Sequence, residues 1–190
     1  MPDDASHVSY RLANESDADA IAKLHAESWR SAYRGLVPDD YLDHDVFADR
    51  TMVWRVRFAA TDGPPAVTIV AELDGTLAGF AHSIIDEDAQ YGTLLDNLHV
   101  RPDIKRLGIG RRLVAETAAW LEARGNEDGL HLWVFEANAP ARNFYDALGG
   151  RISGKDISRT AGSSEPALRY YWPRLDVLSR NLPKGRGALA

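Results

Sequence analysis

The chain has 190 residues, 45% apolar and 26% charged, which suits one soluble globular domain with a sizeable core and excludes a disordered composition. It contains no cysteine, so disulfides and thiolate metal sites are excluded and a reducing, cytoplasmic setting is expected. A formal net charge of −6 argues against a general nucleic-acid binder, and the six scattered histidines give no metal-ligand spacing.

No apolar run approaches the roughly 20 residues of a membrane span, and the acidic start MPDDASHVSY does not read as a signal peptide. Val8 to Leu12 alternates enough for a short strand. Residues 13–35 read as a helix that Asn14 or Ser16 can cap, with Asp17 and Asp19 suiting the positive end of its dipole. Ile21, Leu24, His25, Ser28 and Ala32 share one face at helical spacing, and Gly35 closes the element. Pro38 opens a second helical stretch, Asp39 to Asp43 followed by Val46 to Phe58. Trp29, Tyr33, Tyr41 and Trp54 make this region aromatic, as two helices packed on a sheet require. After the break at Gly63-Pro64-Pro65, residues 66–73 and 76–85 read as a hairpin around Asp74-Gly75. Residues 86–92 read as an acidic loop.

Leu94 to Val100 is an apolar strand stopped by Arg101-Pro102. A short basic loop follows, with glycines at Gly108 and Gly110, and then a helix from Gly110 to Arg124 with Leu113, Val114, Thr117, Ala118 and Leu121 on its packing side. Strand, glycine turn and helix start leave several unpaired N–H groups at one place, where the helix dipole adds to their pull on a phosphate. Lys105, Arg106, Arg111 and Arg112 bring positive charge around it. The turn lacks the Gly-Lys-Ser/Thr of a nucleotide-triphosphate loop and the three glycines of a dinucleotide fingerprint. A pyrophosphate clasp of another type remains. Residues 130–137 form the next strand, Asn138 caps a helix with Pro140 in its first turn, and Gly149 or Gly150 ends it. There Phe144 and Tyr145 lie beside a strand end, where core packing alone would explain them. Residues 151–160 and 166–175 read as a final strand pair, and the chain past Asp176 as a loose tail. The order β-α-α-β-β-β-α-β-α-β-β gives an α/β (α+β) fold: a mixed, mostly antiparallel sheet with one parallel pair and flanking helices.

The segment LHVRPDIKRLGIGRRLV resembles the cofactor-binding segment of the GNAT N-acetyltransferases, whose pattern is Gln/Arg-x-x-Gly-x-Gly/Ala, here at Lys105, Gly108 and Gly110. Lys105 departs from the usual Gln or Arg, Arg106 replaces a common glycine, and Leu107 stands where a basic residue often does. The later segment ANAPARNFYDALGG is similar to that family's Asn-x-x-Ala-x-x-Phe-Tyr-x-x-x-Gly, with Asn138, Ala141, Phe144, Tyr145 and Gly149 in step. Two independent motifs in the right order are far more specific than either alone. The resemblance covers about Val8 to Trp172 and implies a single acetyltransferase domain over 8–174 with a splayed parallel strand pair, followed by a tail over 175–190.

It further implies acetyl-CoA as the acyl donor, with no metal. Backbone at Leu98, His99 and Val100 would pair with the pantetheine amides, and Lys105, Arg106, Leu107, Gly108, Ile109, Gly110 and Arg111 would surround the pyrophosphate. Asn138 and Ala141 would contact the pantetheine arm, Tyr145 would stand near the thioester sulfur, and Trp29 and Tyr33 would wall the acceptor site. A lysine-like amine is neutral in only about one molecule in 2,500 at pH 7, a deficit of roughly 4–5 kcal/mol that a base or a dry pocket recovers in part. Tyr145 suits the acid, because a phenol stays protonated at neutral pH. Family members with a strand-borne glutamate place it near Leu94, which cannot take a proton; Asp96, two residues on and on the same face, is the expected base. Glu136, Glu27, His25 and His82 are rivals, and a water chain is another route. The expected activity is transfer of an acetyl group to a primary amine of a small molecule or peptide in a ternary complex. The alternative is a catalytically weak CoA-binding sensor of the same fold; another acyl-CoA donor is a third option. The acidic residues 86–88 and Asp39, Asp40, Asp43 and Asp45 would steer cationic acceptors weakly, although solvated charge on loops and helix starts is the simpler account of them. A homodimer through the last strands is compatible with the sequence.

Overall fold

The computed structural model describes residues 8–104, 107–126, 128–180 and 189. The elements run β1 (Val8–Leu12), α1 (Ala18–Ala32), α2 (Val46–Ala59), β2 (Ala66–Leu73), β3 (Thr76–Asp88), β4 (Gly92–Val100), α3 (Ile109–Glu122), β5 (Leu130–Phe135), α4 (Ala139–Ala147), β6 (Arg151–Ser158), β7 (Glu165–Trp172) and α5 (Asp176–Ser179). The seven strands form one sheet in the order β1-β2-β3-β4-β5-β7-β6, antiparallel throughout except for the β4–β5 pair.

Strand alternation divides the core between two faces. Val67, Ile69 and Ala71 of β2 join Leu113, Val114, Ala118 and Leu121 of α3 on one side. Val70 of β2 and Phe80 of β3 meet Ile21 and Leu24 of α1 and Trp54 of α2 on the other. The expected packing stripe of α1 holds for Ile21, Leu24, His25 and Ser28, all buried, but Ala32 is exposed because the helix ends there. The start of α1 is tied down by Arg11, whose guanidinium donates to both Asp17 oxygens at 2.8 Å and to Glu72 at 2.6 Å. Those bonds hold the Asp17 carboxyl below its ordinary pKa.

The Asp74-Gly75 hairpin forms as expected, both residues adopting positive φ, 51° and 76°. The acidic stretch after it is no loop: β3 continues to Asp88 and β4 begins at Gly92. Asp88 then caps the turn, its Oδ1 accepting from the Gln90 and Tyr91 amides. The expectation of a loose chain past Asp176 also fails for its first turn. Leu175 and Leu178 are buried in the core on the α3 face, and Asp176–Ser179 is helical.

Leu178→Ala should therefore cost about 2–5 kcal/mol, whereas the same change at half-exposed Val177 should cost far less. Urea denaturation checks this; equal, near-zero losses at both positions would mean α5 is not docked.

Candidate active site

β4 and β5 pair only at Thr93–Leu130 and Leu94–His131. Beyond Leu94 the β5-facing edge of β4 has no strand partner among the described residues, and a cleft opens in the middle of the sheet. A β-bulge contributes: against β3, His82 pairs with Asn97 and Ser83 with Leu95, which leaves Asp96 as the extra residue. A bulge bends its strand and increases its twist. It also puts two consecutive side chains within reach of one partner. Arg57 of α2 donates to Asp96 Oδ2 at 2.7 Å and to Asn97 Oδ1 at 2.8 Å.

At the C-terminal end of β4 the chain turns through Gly108, φ +77°, into α3. A Cβ added at Gly108 would meet nothing within 4 Å, so its glycine serves backbone conformation and open space. Gly110 differs: a Cβ there would sit 3.5 Å from Phe144, an ordinary contact. The first α3 amides, at Ile109, Gly110 and Arg111, precede the first intrahelical bond, which Arg112 makes to the Gly108 carbonyl. A hollow of about 370 Å³ lies over this turn, bordered by Gly108, Arg111 and Arg112 and by Ala147 to Gly149 at the end of α4. Leu107 is exposed and Ile109 buried. Lys105 and Arg106 lie outside the described residues.

Of the other expected cofactor contacts, Leu98 and Val100 turn their side chains into the core on the α3 face, so only their backbone is offered to the cleft. Asn138 caps α4, its Oδ1 accepting from the Ala141 amide at 3.2 Å; its amide nitrogen is the group left for a ligand. Tyr145 is half-buried, its ring 5.7 Å from Tyr170 and 6.1 Å from Trp172. Burial, with Tyr33 close by, raises its phenol well above the ordinary value, so it is protonated at every physiological pH. Tyr33 stands edge-on to Phe135 at 5.1 Å and burial lifts its phenol to about 12. Trp29 is only 5% exposed under Arg50, so it contributes more to the core than to an acceptor wall.

On the α1 face of the cleft the structure assembles side chains that are far apart in sequence. His99 Nδ1 lies 2.9 Å from Ser28 Oγ, and its ring centroid is 4.5 Å from that of His25. His25 Nδ1 accepts from the Trp54 indole at 3.0 Å, so its own proton sits on Nε2. Burial, then the neighbouring His99, push His25 well below the usual imidazole value. His82, bonded to Thr68 at 2.8 Å, falls to about 4, chiefly through burial. Among the rival bases, Glu136 is engaged by Lys155 at 2.6 Å and Glu27 lies 4.0 Å from Lys23. The acidic residues expected to steer an acceptor are largely engaged: Asp43 with Arg34 and Arg30, Asp39 with Arg34, Asp88 with Arg169. Arg57, Ser28 and the His99 side chain escape sequence reading because their partners lie 39 to 71 positions away.

Residues 19–149 match the model of the "Acetyltransferase (GNAT) family". The uncharacterized N-acetyltransferase YuaI of Bacillus subtilis is 30% identical over 90% of this chain and 96% of its own length. The L-amino acid N-acetyltransferase AaaT of Escherichia coli is 26% identical over 90% and 99% respectively. In fold, the chain superposes on the PaiA N-acetyltransferase of Thermoplasma acidophilum, solved in complex with coenzyme A, with a TM-score of 0.64, 20% identity and coverage of 87% and 99%.

The buried imidazoles set a pH dependence of stability. His25 and His82 have folded values below the ordinary 6.5, so the unfolded chain binds protons first as pH falls. Stability should be full above about pH 6.5 and decline below it, by up to about 1.4 kcal/mol per pH unit for each histidine. Urea midpoints at pH 7.5, 6 and 5 read this out. A His82→Asn variant that unfolds with the same pH slope as the parent would contradict the assignment.

Proposed function

The chain belongs to the GNAT acetyltransferase family, an N-acetyltransferase family, and on that premise we propose that it moves an acetyl group from acetyl-CoA to a primary amine of a small molecule or peptide. The observation that carries the proposal is the open edge of β4 leading straight to the Gly108 turn and the N-terminus of α3. A pantetheine arm has two amides and suits such an edge, which offers alternating donors and acceptors as a missing strand would. The diphosphate then falls on the amides of Leu107 to Arg111, where the helix dipole favours negative charge. Arg111 sits at the rim of the hollow above. The resulting unit spans residues 8–174, with Leu175 and Leu178 docked on its α3 face.

The reaction is direct attack in a ternary complex. The amine must arrive neutral beside the thioester carbonyl, and the sulfur must leave as a thiol. Tyr145 gives its phenolic proton to the sulfur as the C–S bond breaks; its burial keeps that proton in place until then. A β4 amide released by the splay polarises the carbonyl. Asp96 has one oxygen committed to Arg57, and its other oxygen serves the acceptor. In this reading the Arg57–Asp96 pair orients the incoming ammonium, which makes Asp96 an anchor for the acceptor. The name of the relative AaaT makes free amino acids one acceptor group to assay; peptides and other small amines complete the panel.

Replacing Tyr145 with Phe should lower kcat by about 100-fold or more while leaving the acetyl-CoA Kd within about twofold. Thiol release followed with a chromogenic reagent measures the first, and calorimetry the second. Unchanged turnover would remove Tyr145 as the acid. Asp96→Asn should act mainly through the acceptor, raising its KM about tenfold, one hydrogen bond to a charged group; an unchanged KM would remove the anchoring role.

A further inference from the structure

Helix α2 turns charge inward and apolar side chains outward. Arg50 lies over Trp29 and Arg57 is bonded to Asp96, both partly buried, while Met52 and Val56 stand 63% and 61% exposed. Phe47, Ala48 and Ala59 are exposed as well, so an apolar stripe at 48, 52, 56 and 59 runs the length of the helix. Val46 and Trp54 are buried on its other side. A helix that is apolar on two sides is normally covered on both. No other helix among the described residues carries more than one large exposed apolar residue. An open trough of about 550 Å³ follows the stripe, and α2 alone lines it. We propose that a second copy of this chain covers it, the two α2 helices packing antiparallel across a two-fold axis at Met52.

The stripe is its own complement. An axis at Met52 sets that side chain against its equivalent and places Ala48 of one copy opposite Val56 of the other, a small residue facing a branched one. Isologous contacts of this kind are the commonest route to a homo-oligomer. The charges agree with the direction. Asp45 and Asp49 lie at the start of α2 and Arg55 near its end, so the same axis brings Arg55 over Asp49 of the other copy. A parallel arrangement would put like charges together and set the helix dipoles against each other. Arg55 is held by Asp19 at 2.9 Å, an exposed ion pair that costs little to rearrange. The rival surface is β6, the edge strand that carries exposed Ile152 and Ile157. That edge is guarded: a bulge at Ser153 and the charges of Lys155 and Asp156 stand between the two isoleucines. Such devices keep an edge strand unpaired.

Size decides how tight the contact is. The 14 residues of α2 make a helix about 21 Å long, and one face of it buries a few hundred Å² per copy, short of the roughly 800 Å² a side of a stable complex. The dimer is therefore reversible and dissociates on dilution. None of this depends on the acyl-transfer reading.

Sedimentation velocity of the full chain from about 5 to about 500 μM should show a monomer–dimer equilibrium. Met52→Asp should raise the dimer Kd by about 30-fold or more, with the urea midpoint of dilute protein unchanged because the side chain is exposed in the monomer. Ile157→Asp should leave the equilibrium as it is. The absence of cysteine from the chain gives a second readout. Met52→Cys, oxidised with copper phenanthroline, should form a covalent dimer. Ala48→Cys and Val56→Cys should each link poorly alone and form a mixed dimer when combined. A chain that stays monomeric over the whole range, a dimer that survives Met52→Asp, loss of the dimer in Ile157→Asp, or efficient self-linking of both Ala48→Cys and Val56→Cys would each overturn the assignment.

Discussion

Strands β4 and β5 meet at two residue pairs and then separate, so the backbone edge beyond Leu94 must find its hydrogen-bond partners elsewhere. In a sheet whose other neighbours are well paired, that is a large exception. Both flanks of the gap carry a local irregularity or packing contact. The bulge at Asp96 bends β4, while Tyr33, the residue that ends α1, stands against Phe135 at the far end of β5. The parallel relation of the two strands is itself imposed by the α3 crossover between them. Once the strands part, the same crossover puts a helix N-terminus at the mouth of the gap, which joins a strand-like groove to an anion-binding turn.

Arg57 shows how the two helices of the opposite face serve this gap. One guanidinium spans Asp96 and Asn97, the two residues that the bulge turns toward it. Its positive face also lies 5.0 Å over the Trp54 ring. Trp54 in turn donates to His25, and His25 stacks beside His99. A continuous line of bonded and stacked groups therefore runs from α2 through α1 to the wall of the cleft. It is buried for most of its length, where a misplaced polar group costs the most and rotamers are most firmly held.

Much of this was legible in the chain, and the limits have physical causes. Asp74-Gly75 gives the hairpin because both residues tolerate positive φ, and Asn138-Ala-Pro gives the start of α4 because a side-chain cap and a first-turn proline are local devices. The glycine turn and the Asn138–Tyr145 motif give the family. The acidic run at residues 86–88 has the polarity of a loop, yet β3 runs on through it past an irregular residue, Asp86, at φ 52°. Residues 175–179 differ in the opposite way: Leu175 and Leu178 carry too little periodicity to announce a helix, and the packing surface of α3 gives them a place. Alternation from Leu94 gives a face for Asp96, but its bond to Arg57 depends on a bulge and on a helix 39 residues away. The side-chain contact of His99 is not legible in the sequence, because nothing near it in the chain foretells Ser28.

Amide hydrogen exchange with and without acetyl-CoA tests the open edge most directly, because it reports on the individual N–H groups that the cleft leaves without a strand partner. The account predicts new protection confined to the β4 segment from Leu95 to Val100 and to the turn from Leu107 to Arg111, with the paired strands β2 and β7 unchanged. Saturating acetyl-CoA that leaves both segments exchanging as fast as in the free protein would contradict it.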